Sequence, residues 1–290
     1  MQPLTLLTAA TLTSASPFLS SRAAASATTP HNDFTCTSTT HPNPVVLLHG
    51  LGATYYEDLN VLEAYLKSNS YCTFSLTYGE LGPVGDALPL VGGLEPIAES
   101  SQEIAAFIRQ VAAAYPDHRV DLVGHSEGAF QSLYVPKFAD GISAQLRQVF
   151  AIAPPTHGTS FANLYNASYL LGGLSNSLVQ TVLETFGCPA CTDLVTDGAA
   201  VRALNDGPIA QAGVEYTVLT SRYDELVTPV ETAFVREEGV RNIFVQDYCP
   251  QDPVGHIGEA YDRNVWVLVD NTLSGSTAGP ETCVIGSPGK

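Results

Sequence analysis

The chain has 290 residues, of which 45% are hydrophobic, enough to fill the core of a sizeable domain. It carries 29 acidic and 12 basic side chains, which gives a formal net charge of −17 at pH 7. This charge argues against binding to nucleic acid or to anionic membrane surfaces, because both are themselves negative.

The N-terminal segment is typical of a secretory signal. An apolar core without charge runs from Leu4 to Leu12, and small residues follow it. Residues 1–27 are therefore interpreted as a signal peptide and flexible segment, with cleavage between positions 15 and 27, although no Lys or Arg precedes the core. No later run reaches the ~18–20 apolar residues of a membrane span. We expect a secreted, monomeric protein.

Six cysteines fit an oxidising compartment. Several pairings are open, and the grouping along the chain favours Cys36–Cys72, Cys188–Cys191 and Cys249–Cys283. The short Cys-Pro-Ala-Cys segment also suits a redox or zinc motif, but no second Cys or His pair lies at zinc spacing. One N-glycosylation sequon is present, at Asn166.

Short apolar runs alternate with helical periodicity along the chain. Strands are predicted at 44–48, 72–76, 120–123, 147–153, 216–220 and 242–245, and helices at 57–67, 96–115, 196–205 and 260–273. This alternation indicates an α/β fold with a mostly parallel central sheet and helices on both faces. A single domain over residues 34–285 is expected. Ligands of such sheets bind at the carboxyl ends of the strands.

The strongest motif is Gly124-His-Ser-Glu-Gly128, which follows a predicted strand and precedes a helical pattern. Gly-x-Ser-x-Gly in this context is a nucleophile elbow, a turn that strains the serine backbone and leaves no room for side chains at the glycines. Ser126 is therefore the predicted nucleophile. The Glu127 N–H, at a helix start, is the predicted donor to a developing oxyanion. A second donor is expected from the turn after the first strand, with Leu51 N–H the candidate.

A serine nucleophile needs a base, most often a histidine that a carboxylate orients. His256 alone among the seven histidines lies after the last predicted strand, and Ser126, Asp224 and His256 follow the chain order of this fold class. Asp247 and Asp252 are the alternatives to Asp224. A turn-forming Asp224 and a solvated His256 are the competing interpretations.

With these residues in place, the chain resembles an α/β-hydrolase and, more narrowly, the secreted class-2 lipases of fungi and actinobacteria. The resemblance covers about residues 36–285, and its motifs lie at 46–52, 123–128, 155–158, 188–191, 221–229 and 252–256. It implies hydrolysis of carboxylic esters, including acylglycerols, through an acyl-enzyme on Ser126, with Asp224, His256, Leu51 and Glu127 in the family roles. It also implies that no cofactor and no catalytic metal take part.

Two apolar segments follow predicted strand ends, residues 81–94 and residues 164–186 of an excursion that spans 156–195. They are interpreted as an acyl groove or a lid, with packing against the sheet as the alternative. A small-molecule or lipid ester, met at a lipid–water interface, is the expected substrate. An acyltransferase and a cutinase or polyester hydrolase share the triad and stay open. A peptidase and a non-catalytic binding protein are disfavoured.

Overall fold

A computed structural model describes residues 31–80, 91–160 and 188–290. In that part of the chain the apolar runs form six strands of one sheet, in the order β2-β1-β3-β4-β5-β6, and each neighbouring pair is parallel. The strands are β1 Val45–Leu48, β2 Thr73–Ser75, β3 Val120–His125, β4 Leu146–Ile152, β5 Glu215–Thr220 and β6 Val240–Phe244. The predicted α/β fold with a parallel sheet is confirmed.

Helices occupy most of the connections between these strands. They are α1 Asn60–Ser68, α2 Ile97–Ala114, α3 Glu127–Phe138, α4 Ile142–Gln145, α5 Pro189–Asp193, α6 Ala199–Leu204, α7 His256–Tyr261 and α8 Arg263–Leu273. Short 3-10 turns lie at Val230–Ala233 and Val245–Asp247. Among the described residues, no helix has the length and apolar character needed to cross a membrane.

The apolar core lies on both faces of the sheet because each strand alternates its side chains between them. Val46 and Leu48 of β1 pack in one cluster with the buried faces of α2 and α3. Val45 and Leu47 pack in a second cluster with the apolar residues of α1 and α8. The sheet is therefore covered by helices on both sides, as the alternation of elements predicts.

The last predicted helix was wrong in its bounds. The sequence predicts one helix over 260–273, whereas the structure has α7 and α8 separated at Asp262, whose backbone is extended. The Asp262 carboxylate accepts hydrogen bonds from the N–H groups of Asn264 and Val265. An aspartate at this position starts a new helix, because it satisfies backbone donors that have no partner within the helix.

Parallel strands place their carboxyl ends along one edge of the sheet, here called the carboxyl edge, and their starts along the opposite amino edge. The turns after β1, β3 and β5 and the loop after β6 therefore converge on the carboxyl edge. The exposed turns at Gly213 and Gly239 precede β5 and β6 at the amino edge, with open space around each glycine.

Three disulfides join Cys36 to Cys72, Cys188 to Cys191 and Cys249 to Cys283, the pairs that the grouping along the chain favoured. The last of them holds the C-terminal tail against α7. There the Gly255 and Gly258 N–H groups donate to the carbonyls of Ser287 and Pro288. The predicted signal segment 1–27, the sequon at Asn166 and most of the two apolar segments lie outside the described residues.

Candidate active site

Ser126 occupies the sharp turn between β3 and α3 at the carboxyl edge. Its backbone angles are φ 54° and ψ −118°, a conformation that residues other than glycine rarely adopt. Its N–H donates to the Ile152 carbonyl of β4 at 2.8 Å. A Cβ on Gly124 would lie 2.2 Å from the Gly128 carbonyl oxygen, and one on Gly128 would lie 2.1 Å from that of Leu48. The elbow therefore requires glycine at both positions.

The three residues proposed from the chain order meet in one hydrogen-bonded line. His256 Nε2 lies 2.8 Å from Ser126 Oγ, and His256 Nδ1 lies 2.8 Å from Asp224 Oδ2. All three side chains are buried, with Asp224 4% and His256 1% exposed. In this geometry the ring can accept the serine proton while the carboxylate holds its other nitrogen.

Asp224 is itself fixed by its loop. Its Oδ1 accepts hydrogen bonds from the N–H groups of Leu226 at 2.8 Å and Val227 at 2.9 Å. The two alternative carboxylates lie elsewhere: Asp247 forms an exposed ion pair with Arg222, and Asp252 accepts from Asn264 and from two backbone N–H groups. Only Asp224, of the three candidates, contacts the histidine ring.

The turn after β1 lies directly beside the serine. An added Cβ on Gly50 would lie 3.2 Å from Ser126 Cβ, so the next residue, Leu51, also borders the nucleophile. Glu127 follows the serine as the first residue of α3. Within the described ranges, no hydrogen bond uses the N–H of Leu51 or Glu127. The structure thus places Leu51 and Glu127, the two predicted oxyanion donors, beside Ser126.

Two cavities in the described part of the chain border Ser126. One is bordered mainly by apolar side chains, namely Leu51, Pro155, Leu194, Leu226 and Val227, together with Thr159 and His256. The other carries more polar groups, with Glu57, Asp58, Tyr261 and Lys290 around it. The nucleophile therefore faces an apolar space and a more polar one.

Burial shapes the charges beneath the site. Burial, followed by the nearby Asp193 charge, holds the pKa of Glu127 well above its usual range, and neither carboxyl oxygen has a hydrogen-bond partner in the described structure. Burial and then Asp224 likewise raise the pKa of Glu259. For both side chains burial therefore favours the protonated, uncharged form.

Two buried acids near the site were not identified from the sequence. Glu259 Oε1 accepts from the Ser221 N–H at 2.6 Å and so ties α7 to the loop of Asp224. Its position three residues after His256, on the same helix face, is a signal that could have identified it. Asp58 contacts His125 across 67 residues of chain, and no sequence spacing indicates that contact.

Comparisons with known proteins agree with this architecture. A triacylglycerol lipase of Pseudarthrobacter phenanthrenivorans is 26% identical over 179 residues, which are 58% of this chain and 51% of the relative. One of Burkholderia plantarii is also 26% identical over 179 residues, 58% of this chain and 45% of that relative. The match thus spans about half the length of these curated relatives.

Solved structures share the fold. Aspergillus fumigatus lipase B superposes with a TM-score of 0.64 at 20% identity, over 82% of this chain and 54% of that one. Est1E of Butyrivibrio proteoclasticus, solved with ferulic acid bound, gives a TM-score of 0.50 at 13% identity, over 81% of this chain and 88% of that one. The model of the alpha/beta hydrolase family matches residues 45–271. The chain belongs to the α/β-hydrolase family.

Proposed function

We propose that the protein is a secreted serine hydrolase that cleaves carboxylic esters of apolar acyl chains. The observation that carries this proposal is the line from Ser126 Oγ through His256 to Asp224, with both contacts at 2.8 Å. This is the arrangement that converts a weak serine hydroxyl into a nucleophile at neutral pH.

The reaction follows from this geometry. Ser126 Oγ attacks the ester carbonyl carbon while His256 Nε2 takes the hydroxyl proton, and the carbonyl oxygen becomes an oxyanion. The backbone N–H groups of Leu51 and Glu127 donate to that oxyanion. As the tetrahedral intermediate collapses, the alcohol leaves with the proton from His256, and the acyl group stays on the serine. Water then repeats the sequence, releasing the acid and restoring Ser126.

Asp224 supports both steps without taking the proton. Its Oδ2 holds His256 Nδ1, which fixes the tautomer whose Nε2 faces the serine and stabilises the imidazolium that forms. The two backbone N–H groups on Oδ1 keep the carboxylate in place. Glu127 contributes its backbone N–H, so this role does not depend on its side chain.

Three observations support an apolar acyl substrate. The cavity lined by Leu51, Leu194, Leu226 and Val227 offers an apolar site for the acyl chain. The curated relatives named above are triacylglycerol lipases. On the 221–229 loop at the carboxyl edge, Tyr223 is 55% exposed and offers an aromatic ring with a polar tip to a lipid–water interface. Three disulfides support secretion.

The test is hydrolysis of nitrophenyl esters from acetate to palmitate by the wild type and Ser126→Ala. We expect activity that rises with chain length and falls by about 10⁴-fold or more in the variant, because the remaining groups cannot replace the nucleophile. Ser132→Ala is the matched control, since its buried hydroxyl bonds the Gly128 carbonyl of α3 and faces no substrate. Full activity in Ser126→Ala would contradict the proposal.

The same assay separates the close alternatives. Adding a short alcohol to the reaction and analysing the products by mass spectrometry distinguishes release of free acid from formation of a new ester. Free acid as the main product supports hydrolysis, whereas a new ester as the main product indicates an acyltransferase with the same acyl-enzyme. Activity restricted to acetate and butyrate would indicate an esterase of short chains instead.

A further inference from the structure

A buried pair of charged side chains lies beside the proposed triad but outside it. His125 Nδ1 is 2.8 Å from Asp58 Oδ1, and His125 Nε2 is 2.9 Å from the carbonyl oxygen of His256. His125 is 2% and Asp58 8% exposed. The ring of His125 lies with its centroid 5.0 Å from that of His256.

The partners of His125 fix its protonation state. A carboxylate and a carbonyl can only accept hydrogen bonds, so both ring nitrogens must carry protons and the ring is an imidazolium. Burial lowers the pKa of His125, but the Asp58 charge and hydrogen bond outweigh it and the pKa is raised. For Asp58 the opposing contributions are burial, which raises its pKa, and His125, which outweighs it, so that the pKa is lowered.

His49 at the end of β1 offers a contrast. It is equally buried, but its Nδ1 lies 2.8 Å from the Gly50 carbonyl while its Nε2 accepts from the Tyr78 N–H at 3.3 Å. One acceptor and one donor suit a neutral ring. Burial accordingly lowers the pKa of His49 to about 4. The charge on His125 is therefore specific to its partners.

The ion pair contacts the turn after β1, the backbone of His256 and α7. Asp58 Oδ2 accepts from the Gly50 N–H at 2.6 Å and so holds the turn whose next N–H, that of Leu51, is the oxyanion donor. His125 is bonded directly to Ser126 in the chain and holds the backbone of His256 through its carbonyl. The Asp58 N–H donates to Tyr261 Oη of α7 at 2.9 Å.

We propose that Asp58 and His125 form a positioning ion pair that keeps the oxyanion turn, the nucleophile and His256 in mutual register. The inference rests on the proposed function, since it assigns these residues a role in the same site. Neither side chain touches the reacting atoms; both act through the backbone that carries them. Loss of the pair should therefore reduce kcat more than it changes KM.

The test compares the loss of two ion pairs, one at each end of β3. Asp58→Leu removes the acceptor from both Gly50 N–H and His125, whereas Asp121→Leu breaks the ion pair of buried Asp121 with partly buried Arg147 at the start of the strand. We expect both variants to lower Tm, but only Asp58→Leu to lower kcat, by about tenfold to a hundredfold, with KM within about twofold. Asp58→Asn should recover only part of kcat, because its single amide oxygen can still accept from Gly50 while its uncharged amide group no longer forms the ion pair with His125.

A kcat of Asp58→Leu within about twofold of that of Asp121→Leu, measured well below both Tm values, would overturn the proposal while Ser126→Ala still tests the function. Should Asp58→Leu fail to fold, nitrogen NMR of the wild-type ring decides. Two protonated nitrogens on His125 at neutral pH support the proposal, and an unprotonated one contradicts it. A wild type without esterase activity would refute the proposed function. The NMR measurement would still show whether His125 is doubly protonated, because it does not depend on activity.

Discussion

The two ends of β3 are built in different ways. At the amino edge Asp121 forms a two-point ion pair with Arg147, whose guanidinium also donates to the Leu273 carbonyl and so joins the sheet to α8. At the carboxyl edge the same strand ends in Gly124, His125 and Ser126, with a strained serine and a buried imidazolium. The Asp121–Arg147 pair at the amino edge stabilises the fold. The strained turn at Ser126 instead costs free energy, which the rest of the fold must offset.

The neighbours of the carboxyl edge extend this contrast. Ala153 at the end of β4 and Asp58 before α1 also have positive φ, 51° and 90°. Glu127 has two buried oxygens without a partner, and Glu259 has one, among the described residues. Strain and unpaired polar groups each cost free energy, which the rest of the fold must offset at the carboxyl edge.

The largest effect should come from filling the space between the elbow and β1. Gly128→Ala places a Cβ 2.1 Å from the Leu48 carbonyl oxygen, and two backbone segments cannot separate without breaking the sheet. We expect a loss of more than about 4 kcal/mol in the free energy of unfolding, or no folded protein. Gly289→Ala, with nothing within 4 Å, is the control in thermal denaturation. A folded Gly128→Ala with wild-type Tm would refute the close approach.

The next effect should come from releasing the tail behind His256. The Cys249–Cys283 bond closes a separation of 34 residues, so replacing both cysteines with serine should cost about 3–4 kcal/mol. We expect activity to fall at temperatures where circular dichroism still reports a folded sheet, because the tail is bonded to α7. The Cys188–Cys191 bond spans a separation of only 3, and its removal is the control. An equal loss of activity on removing either disulfide would argue against a specific role of Cys249–Cys283 in holding α7.

A pH-dependent effect is expected from Glu127. Burial, followed by the Asp193 charge, raises its pKa above the ordinary value of a glutamate, so the folded state keeps a proton that the unfolded state releases. Its contribution to stability is thus fully present below about pH 4.5 and is lost as pH rises toward the folded value. Glu127→Gln removes this loss and should stabilise the protein by about 1–3 kcal/mol near pH 8, and little at pH 4.

The measurement is Tm as a function of pH for the wild type and Glu127→Gln. Glu99→Gln, at an exposed position in the first turn of α2, is the matched control. A difference in Tm between wild type and Glu127→Gln that does not change from pH 4 to pH 8 would contradict a raised pKa of Glu127.

The smallest effect should come from the strain at Ser126. Glycine adopts φ 54°, ψ −118° without the steric cost that a Cβ brings, so Ser126→Gly should unfold with about 1 kcal/mol more free energy than Ser126→Ala. Both variants lack the serine hydroxyl, so the difference between their free energies of unfolding reports the backbone strain at position 126. Chemical denaturation measures it, and a less stable Ser126→Gly would show that no strain is stored there.

The sequence predicted the parts of the site that local patterns encode. The elbow is a five-residue motif, and Asp224 and His256 follow strands in a fixed chain order. These three residues can therefore be predicted without knowing how the chain packs. The contact of Asp58 with His125 depends on how the loop before α1 packs against β3, which no local spacing reveals. The break at Asp262 was missed because apolar periodicity continues across it, while one carboxylate decides the helix start.

The exposed turns at Gly213 and Gly239 have a practical consequence. Both lie at the amino edge, across the sheet from Ser126, and neither glycine has a neighbour within 4 Å of an added Cβ. Since all six cysteines are paired, a cysteine inserted after Gly239 would be the sole thiol of the chain. Coupling that thiol to a solid support would orient every immobilised molecule alike, with the carboxyl edge directed toward the substrate solution.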